Sequence, residues 1–367
     1  MLLAGGYIVR SFAAETLWPS SPEALGASIM AEVGAAAGRG ADPNAETMAK
    51  LQRLAAEQPL SWEPFLVQGA IALRKGDVIR AEHLITSARN RAPRSPAARY
   101  LLADVYLRTG RPLQAMTEMA VLNRLVPAAS VQLAPSLANY ARTPGSVPQI
   151  RQILESYPEL ETPLLAQLSW DPNNADLIMT LASAKRTAGP APDWQRLMLT
   201  TLVNNGQYEK AYTLWRKLAG LKGLPSGFYD PGFAEISAPP PFNWQLAQGA
   251  GGVAERSSGS LQVLYFGRDN AELASQVLLL PPGRYRLAMN VSGDIASSNG
   301  VSWTVICLPS QRVGLKLPAK AGAISAEFVV PSSDCPAQRV TLGAEAPEIP
   351  DGADFRISGL QLTSLRP

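Results

Sequence analysis

The side chains that most often do chemistry are scarce in this chain. Its 367 residues hold one histidine, His83, and two cysteines, Cys307 and Cys335. A Ser–His–Asp triad needs a histidine between a nucleophile and an acid, and most zinc sites need three or four Cys, His or acidic ligands. One histidine and two cysteines are too few for most of these, and His83 reads as a solvated residue on the outer side of a helix. No Gly-rich phosphate loop of either common spacing occurs. Hydrolysis of a glycosidic bond needs two carboxyl groups facing one cleft. Asp294, Glu327, Asp334 and Asp351 are instead scattered over turns and strand faces. The chain therefore reads as non-enzymatic, with no cofactor and no metal.

What remains is binding chemistry. Gln68, Arg74, Arg99 and Arg108 fall on helical stretches and point away from the small residues that mark helix contacts. Guanidinium groups hold carboxylates through paired hydrogen bonds, so such a face suits an acidic peptide or a C-terminal carboxylate; a solvated charged face is the plainer reading. Sugar rings lie on aromatic faces, and Trp244 and Tyr265 are the aromatics to consider for this. Tyr285 and Trp303 alternate with polar neighbours on strand faces and read as core. Cys307 and Cys335 would close a loop of 29 residues, stabilising by roughly 3–4 kcal/mol. Such a bridge places a protein outside the cytoplasm; the alternative is two separate buried thiols.

These groups must be positioned by two kinds of element. From residue 62 to 127 one unit occurs twice, offset by 34 residues. Gly69 pairs with Ala103, Ala72 with Tyr106, Gly76 with Gly110, Ala81 with Ala115, Ile85 with Met119, and Pro93 with Pro127. This is the length of a helix, a tight turn and a second helix packed back on the first. Gly76 and Gly110 fall where a left-handed backbone ends the first helix, and the prolines close the second. A third, weaker copy places Gly206, Ala211 and Trp215 at the positions of Gly76, Ala81 and Ile85. The pattern resembles tetratricopeptide repeats. The resemblance implies an α-solenoid from about residue 20 to 220, with Gln68, Arg74, Arg99 and Arg108 on a concave face that grips a partner protein.

Upstream, Ser21 with Pro22 starts a helix, and 45–58 reads as another. Beyond Pro127, helices are expected near 131–142, 147–156, 162–169 and 175–186. After Gly220 the period changes from 3.6 to 2. Tyr285, Leu287, Met289 and Val291 alternate with polar residues; so do Val301, Trp303, Val305 and Cys307, and Ile324, Ala326, Phe328 and Val330. Turn signals at Pro282-Gly283, Asn299-Gly300 and Ala321-Gly322 separate them, as in an antiparallel β-sandwich. Tyr-Asp-Pro-Gly-Phe (229–233), Pro-Phe-Asn-Trp (241–244), Leu-Pro-Pro-Gly-Arg-Tyr-Arg-Leu (280–287) and Phe-Arg-Ile-Ser-Gly-Leu-Gln-Leu (355–362) resemble the strands of galactose-binding-like jelly rolls found in carbohydrate-binding modules. Such domains often carry a structural calcium, but no acidic cluster to hold one stands out here.

The expected organisation is a possible membrane anchor or signal remnant at 1–20, whose apolar start is followed by Arg10; a helical solenoid at 21–220; a Pro/Gly-rich linker at 221–242; and a β-sandwich at 243–367. The first stretch also fits a packed helix. A net charge of +3 with no basic stripe argues against nucleic acid, and 25 arginines against 8 lysines fit a GC-rich bacterial genome. Together these give an interaction scaffold of the bacterial envelope, periplasmic or anchored facing the periplasm. Its solenoid holds a protein and its sandwich possibly a polysaccharide, in polysaccharide assembly or export. The alternatives are a glycan-active enzyme with a catalytic sandwich, or a structural subunit whose sandwich binds nothing.

Overall fold

A computed structural model describes residues 22–126, 129–182, 189–221 and 227–365. The expected anchor at 1–20, Ser21 and Pro127 lie outside the described residues. Among these residues no helix is long and apolar enough to cross a membrane. The chain divides into two compact units, one through Leu164 and one from Leu165 onward.

The first unit is built from helical hairpins: α1 (Pro22–Gly38) with α2 (Ala45–Glu57), α3 (Glu63–Arg74) with α4 (Val78–Arg91), and α5 (Pro96–Arg108) with α6 (Pro112–Leu125). α7 (Ala129–Ala141), α8 (Val147–Ser156) and α9 (Glu161–Leu168) follow. The repeat is the reason for the hairpins. Gly76 and Gly110 have φ of 81° and 68°, a conformation that L side chains resist. Asp77 then caps α4 by accepting from the Arg80 amide at 3.2 Å. A Cβ on Gly69 would sit 2.5 Å from Ile85 Cγ1, so α3 and α4 touch at a point where only hydrogen fits. Ala81, Ile85, Ala98, Leu102 and Ala115 are fully buried around that crossing.

The second unit joins a helical part to the sandwich. α10 (Ala175–Leu181) precedes the hairpin of α11 (Asp193–Asn204) and α12 (Tyr208–Ala219), turned at Gly206 with φ of 73°. This is the third repeat copy. Trp215 of α12 packs edge-on to Tyr229 at 5.0 Å and against Phe242 at 5.6 Å.

All strand pairings are antiparallel. One sheet has five strands in the order β1 (Gln245–Leu246), β5 (Ala271–Leu278), β10 (Ala337–Ala344), β7 (Val301–Leu308), β8 (Val313–Pro318). The other has six, in the order β2 (Gln248–Gly249), β3 (Gly252–Ser257), β4 (Ser260–Tyr265), β11 (Ala353–Leu365), β6 (Gly283–Asp294), β9 (Gly322–Val330). Neither closes into a barrel. The alternating apolar residues of β6, β7 and β9 face inward as their period demands. Trp244, Trp303, Tyr265 and Phe355 form the centre of the core. Cys307 at the end of β7 is disulfide-bonded to Cys335 before β10.

Candidate functional site

In the first unit the first helices of successive hairpins, α1, α3 and α5, line one groove of about 440 Å³. Val33, Val67, Ile71 and Leu101 give it an apolar floor, with Arg74, Asp104 and Arg108 at its edge. The heptad-like spacing 67–71–74 and 101–104–108 places these side chains on one face of each helix. Two of the expected residues, Arg74 and Arg108, therefore meet in the groove. Neither is a bare cation. Arg74 donates to the Ala41 carbonyl at 2.7 Å and pairs with Asp42; Arg108 Nη2 pairs with Asp104 at 2.9 Å. A carboxylate entering here must compete with an acid already in place.

Arg99 does not belong to this surface, contrary to the sequence-based expectation. Its position in the first turn of α5 faces the neighbouring helices, so the guanidinium donates to Glu118 of α6 at 2.5 Å and to the Pro93 carbonyl at 2.8 Å. Arg89 of α4 bonds the other oxygen of the same carboxylate. Glu118 is 4% exposed and ties α4, α5 and α6 together. Gln68 is exposed on α3 but does not line the groove.

Trp244 and Tyr265 offer no face to a sugar. They are 2% and 1% exposed: Tyr265 takes an inward position at the end of β4, and Trp244, just before β1, is packed into the same core. Trp244 packs on Phe228, Phe233 and Trp303, and its Nε1 donates to the Asp230 carbonyl at 2.9 Å. The Tyr265 hydroxyl donates to the Asp269 carbonyl at 3.1 Å.

An aromatic cavity does exist in the second unit, at other residues. It measures about 380 Å³ and is lined by Tyr212 and Trp215 of α12, Tyr229, Phe242, Leu280 and Tyr285. Helical spacing sets Tyr208, Tyr212 and Trp215 on one side of α12. Gln276, fully buried on β5, fixes Tyr229 by accepting from its amide at 3.1 Å and donating to its carbonyl at 2.9 Å. The Trp215 indole N–H is screened from solvent and has no partner among the described residues. Burial pushes the hydroxyls of Tyr212, Tyr229 and Tyr285 above the ordinary tyrosine value, so they stay neutral donors. The sequence placed Trp215 only as a repeat position. The aromatic stripe on α12 was the signal that could have found the cavity.

Glu327, scattered in the sequence, is held by Arg286 and Arg284 at 2.7 and 3.0 Å, and these pairs lower its carboxyl below the usual range. Among the described residues no group of three or more His, Cys, Asp or Glu is placed to hold a metal ion.

Residues 72–134 match the family model of the tetratricopeptide repeat. This part of the chain carries such repeats, and the second unit carries an antiparallel β-sandwich. No curated protein matches the chain. Among solved structures, part of the chain is similar to a glycosylation-associated protein complex from Streptococcus agalactiae, at 14% identity and a TM-score of 0.24, covering 31% of this chain and 39% of that one. A structure described as CBM4 is similar at 11% identity and a TM-score of 0.30, covering 38% of this chain and all of that one. PilF of Pseudomonas aeruginosa is similar at 15% identity and a TM-score of 0.27, covering 60% and 89%. The chain spans well under half the length of the first of these. No function is read from these partial likenesses.

Proposed function

We propose that this protein is a non-enzymatic, cofactor-free interaction scaffold of the bacterial envelope, whose helical unit holds a segment of a partner protein. The observation that carries this reading is the groove along α1, α3 and α5. Its apolar floor lets side chains of an extended or helical segment be buried, and its paired rim charges fix register rather than supply affinity. Ile71→Glu and Leu101→Glu place a carboxylate on the floor. Each abolishes capture of the partner from an envelope extract while leaving the helical circular dichroism signal intact; capture unchanged in both variants would refute the groove.

The finer parts of the reading rest on the second unit. A Cys307–Cys335 disulfide fits an oxidising compartment such as the periplasm, and membrane attachment through residues 1–20 belongs to the same reading. The aromatic cavity is of a size and lining that suit a sugar ring, which is what a role in polysaccharide assembly or export requires. One observation favours a rival, a sandwich that is only structural: Trp244 and Trp303 are both buried, so among the described residues no tryptophan is exposed on the sheets. Tryptophan fluorescence during titration with oligosaccharides separates the two. A saturable change that is lost in Trp215→Phe supports the glycan reading, and a flat titration supports the structural one.

A further inference from the structure

A second opening of the sandwich unit measures about 520 Å³. Arg196 of α11 lines it on one side; Gln245 of β1, Gln248 of β2, and Glu255 and Arg256 of β3 line the other, with Trp244 between. Arg256 is its unusual member. The guanidinium is half-buried, its Nε is screened from solvent with no hydrogen-bond partner, and no carboxylate lies in ion-pair range of it among the described residues. Burial holds this guanidinium below its ordinary value, with Asp230 and Glu235 partly offsetting the loss.

Those two acids lie outside ion-pair range of Arg256 and are engaged instead by the loop they shape. Asp230 accepts from the amides of Ala234 and Glu235 at 2.8 and 2.9 Å, and Glu235 accepts from the amide and hydroxyl of Ser237, both at 2.6 Å. Arg196 is also loosely held, 3.9 Å from an exposed Asp193. Arg256 thus faces the opening without a bound acid and Arg196 with only a long contact to one, and a half-buried charge without a partner is unfavourable until an anion supplies one. The rest of the lining narrows the anion. The Gln245 amide makes no bond within the described protein, and Gln248 spends only one long bond, 3.3 Å to the Ala254 carbonyl. These amides suit hydroxyl groups. Glu255 at the same opening disfavours a doubly charged phosphate and leaves room for a single negative charge.

We propose that this opening is a subsite for a carboxylate-bearing sugar, a hexuronate, with Arg256 and Arg196 taking the carboxylate and Gln245 and Gln248 the ring hydroxyls. The proposal rests on the glycan reading above and names the substrate class.

Calorimetric titration of the full chain with trigalacturonate and with neutral galactotriose tests it. The acidic trisaccharide is expected to bind at least tenfold more tightly than the neutral one. Arg256→Gln is expected to weaken it by tenfold or more and Arg196→Gln by severalfold, with galactotriose binding unchanged. Arg256→Gln removes an unpaired charge, so its thermal unfolding midpoint stays at or above that of the native chain, which shows the variant is folded. Equal affinity for both sugars, or trigalacturonate binding unaffected by Arg256→Gln, overturns the subsite while leaving the glycan reading in place. Binding of neither sugar overturns both. Competition by sodium sulfate as strong as by galacturonate also overturns the subsite, since it would show a site for any anion.

Discussion

Arginine does opposite work in the two units. In the helical unit the guanidinium groups of Arg74, Arg89, Arg99, Arg108 and Arg111 are engaged. Arg74 meets Asp42, Arg89 and Arg99 share Glu118, Arg108 meets Asp104, and Arg111 grips Glu82 with two bonds of 2.6 and 2.8 Å. There arginine is a fastener between helices, and the groove left for a partner is apolar. In the sandwich unit Arg284 and Arg286 share Glu327 across exposed strands, but the loops are fastened by neutral amides and sulfur: Gln276, Gln338 and Asn243 hold them, and the disulfide closes one. Arg256 and the Trp215 N–H are left over. A count of arginines therefore says little about binding; what matters is whether each has found its acid.

The sharpest way to break this comparison is to remove the shared acid. Glu118→Ala leaves two partly buried guanidinium groups facing nothing, and we expect a loss of about 3 kcal/mol. Urea unfolding followed by helical circular dichroism measures it. A loss below about 0.5 kcal/mol would mean the arginines of the helical unit are solvated and not fasteners.

The sandwich should answer to its own fastener. Replacing both Cys307 and Cys335 with serine lowers its stability by about 3 kcal/mol, as expected for a loop of this length. Hydrogen exchange should show the loss in β7 and β10 and not in α3 to α6. Faster exchange spread evenly through both units would contradict the separation.

Glu63 gives a smaller and opposite effect. Its carboxyl at the start of α3 is raised above the ordinary value, chiefly by burial, with backbone N–H groups of Glu63 and Trp62 partly offsetting this, and its Oε2 has no partner. Because the folded value is raised, the favourable contribution is full below the ordinary carboxylate range and is lost as pH rises through the raised value. Glu63→Gln should thus stabilise the helical unit at pH 7 by about 1 kcal/mol, and the gain should shrink toward acid pH. A gain that does not depend on pH would assign it to something other than the charge.

The smallest effect is expected at Glu82. Arg111 lowers its carboxyl below the usual range. The stabilisation is therefore present above the unfolded value and fades as pH falls through the lowered one. With both side chains about one-third exposed, Glu82→Gln should cost only about 0.5 kcal/mol at pH 7 and less in high salt. Thermal melts at low and high ionic strength check the sign.

Much of the architecture was legible because it is periodic. A 34-residue offset fixed the hairpins through Gly76, Ala81 and Gly110, since a turn with positive φ and a close helix crossing each admit few residue types. Alternation fixed β6, β7 and β9 because side chains of a strand leave on opposite faces. The candidate sites were legible only in part. Arg74 and Arg108 reached the groove because spacing along one helix sets the face. Arg99 did not, because which neighbour a first-turn arginine finds depends on Glu118, 19 residues away.

The sequence by itself determined that this chain forms helical hairpins and then a sandwich, that it holds a single histidine, and which two cysteines could pair. Only the tertiary structure decided that Trp244 and Tyr265 are core, that Trp215 belongs to a cavity with the sandwich loops, and that Arg256 has no acid. The reason is physical. Local periodicity is written by backbone geometry into neighbouring positions, whereas burial and pairing are decided by contacts between residues far apart in the chain, such as Trp215 with Phe242, or Gln276 with Tyr229.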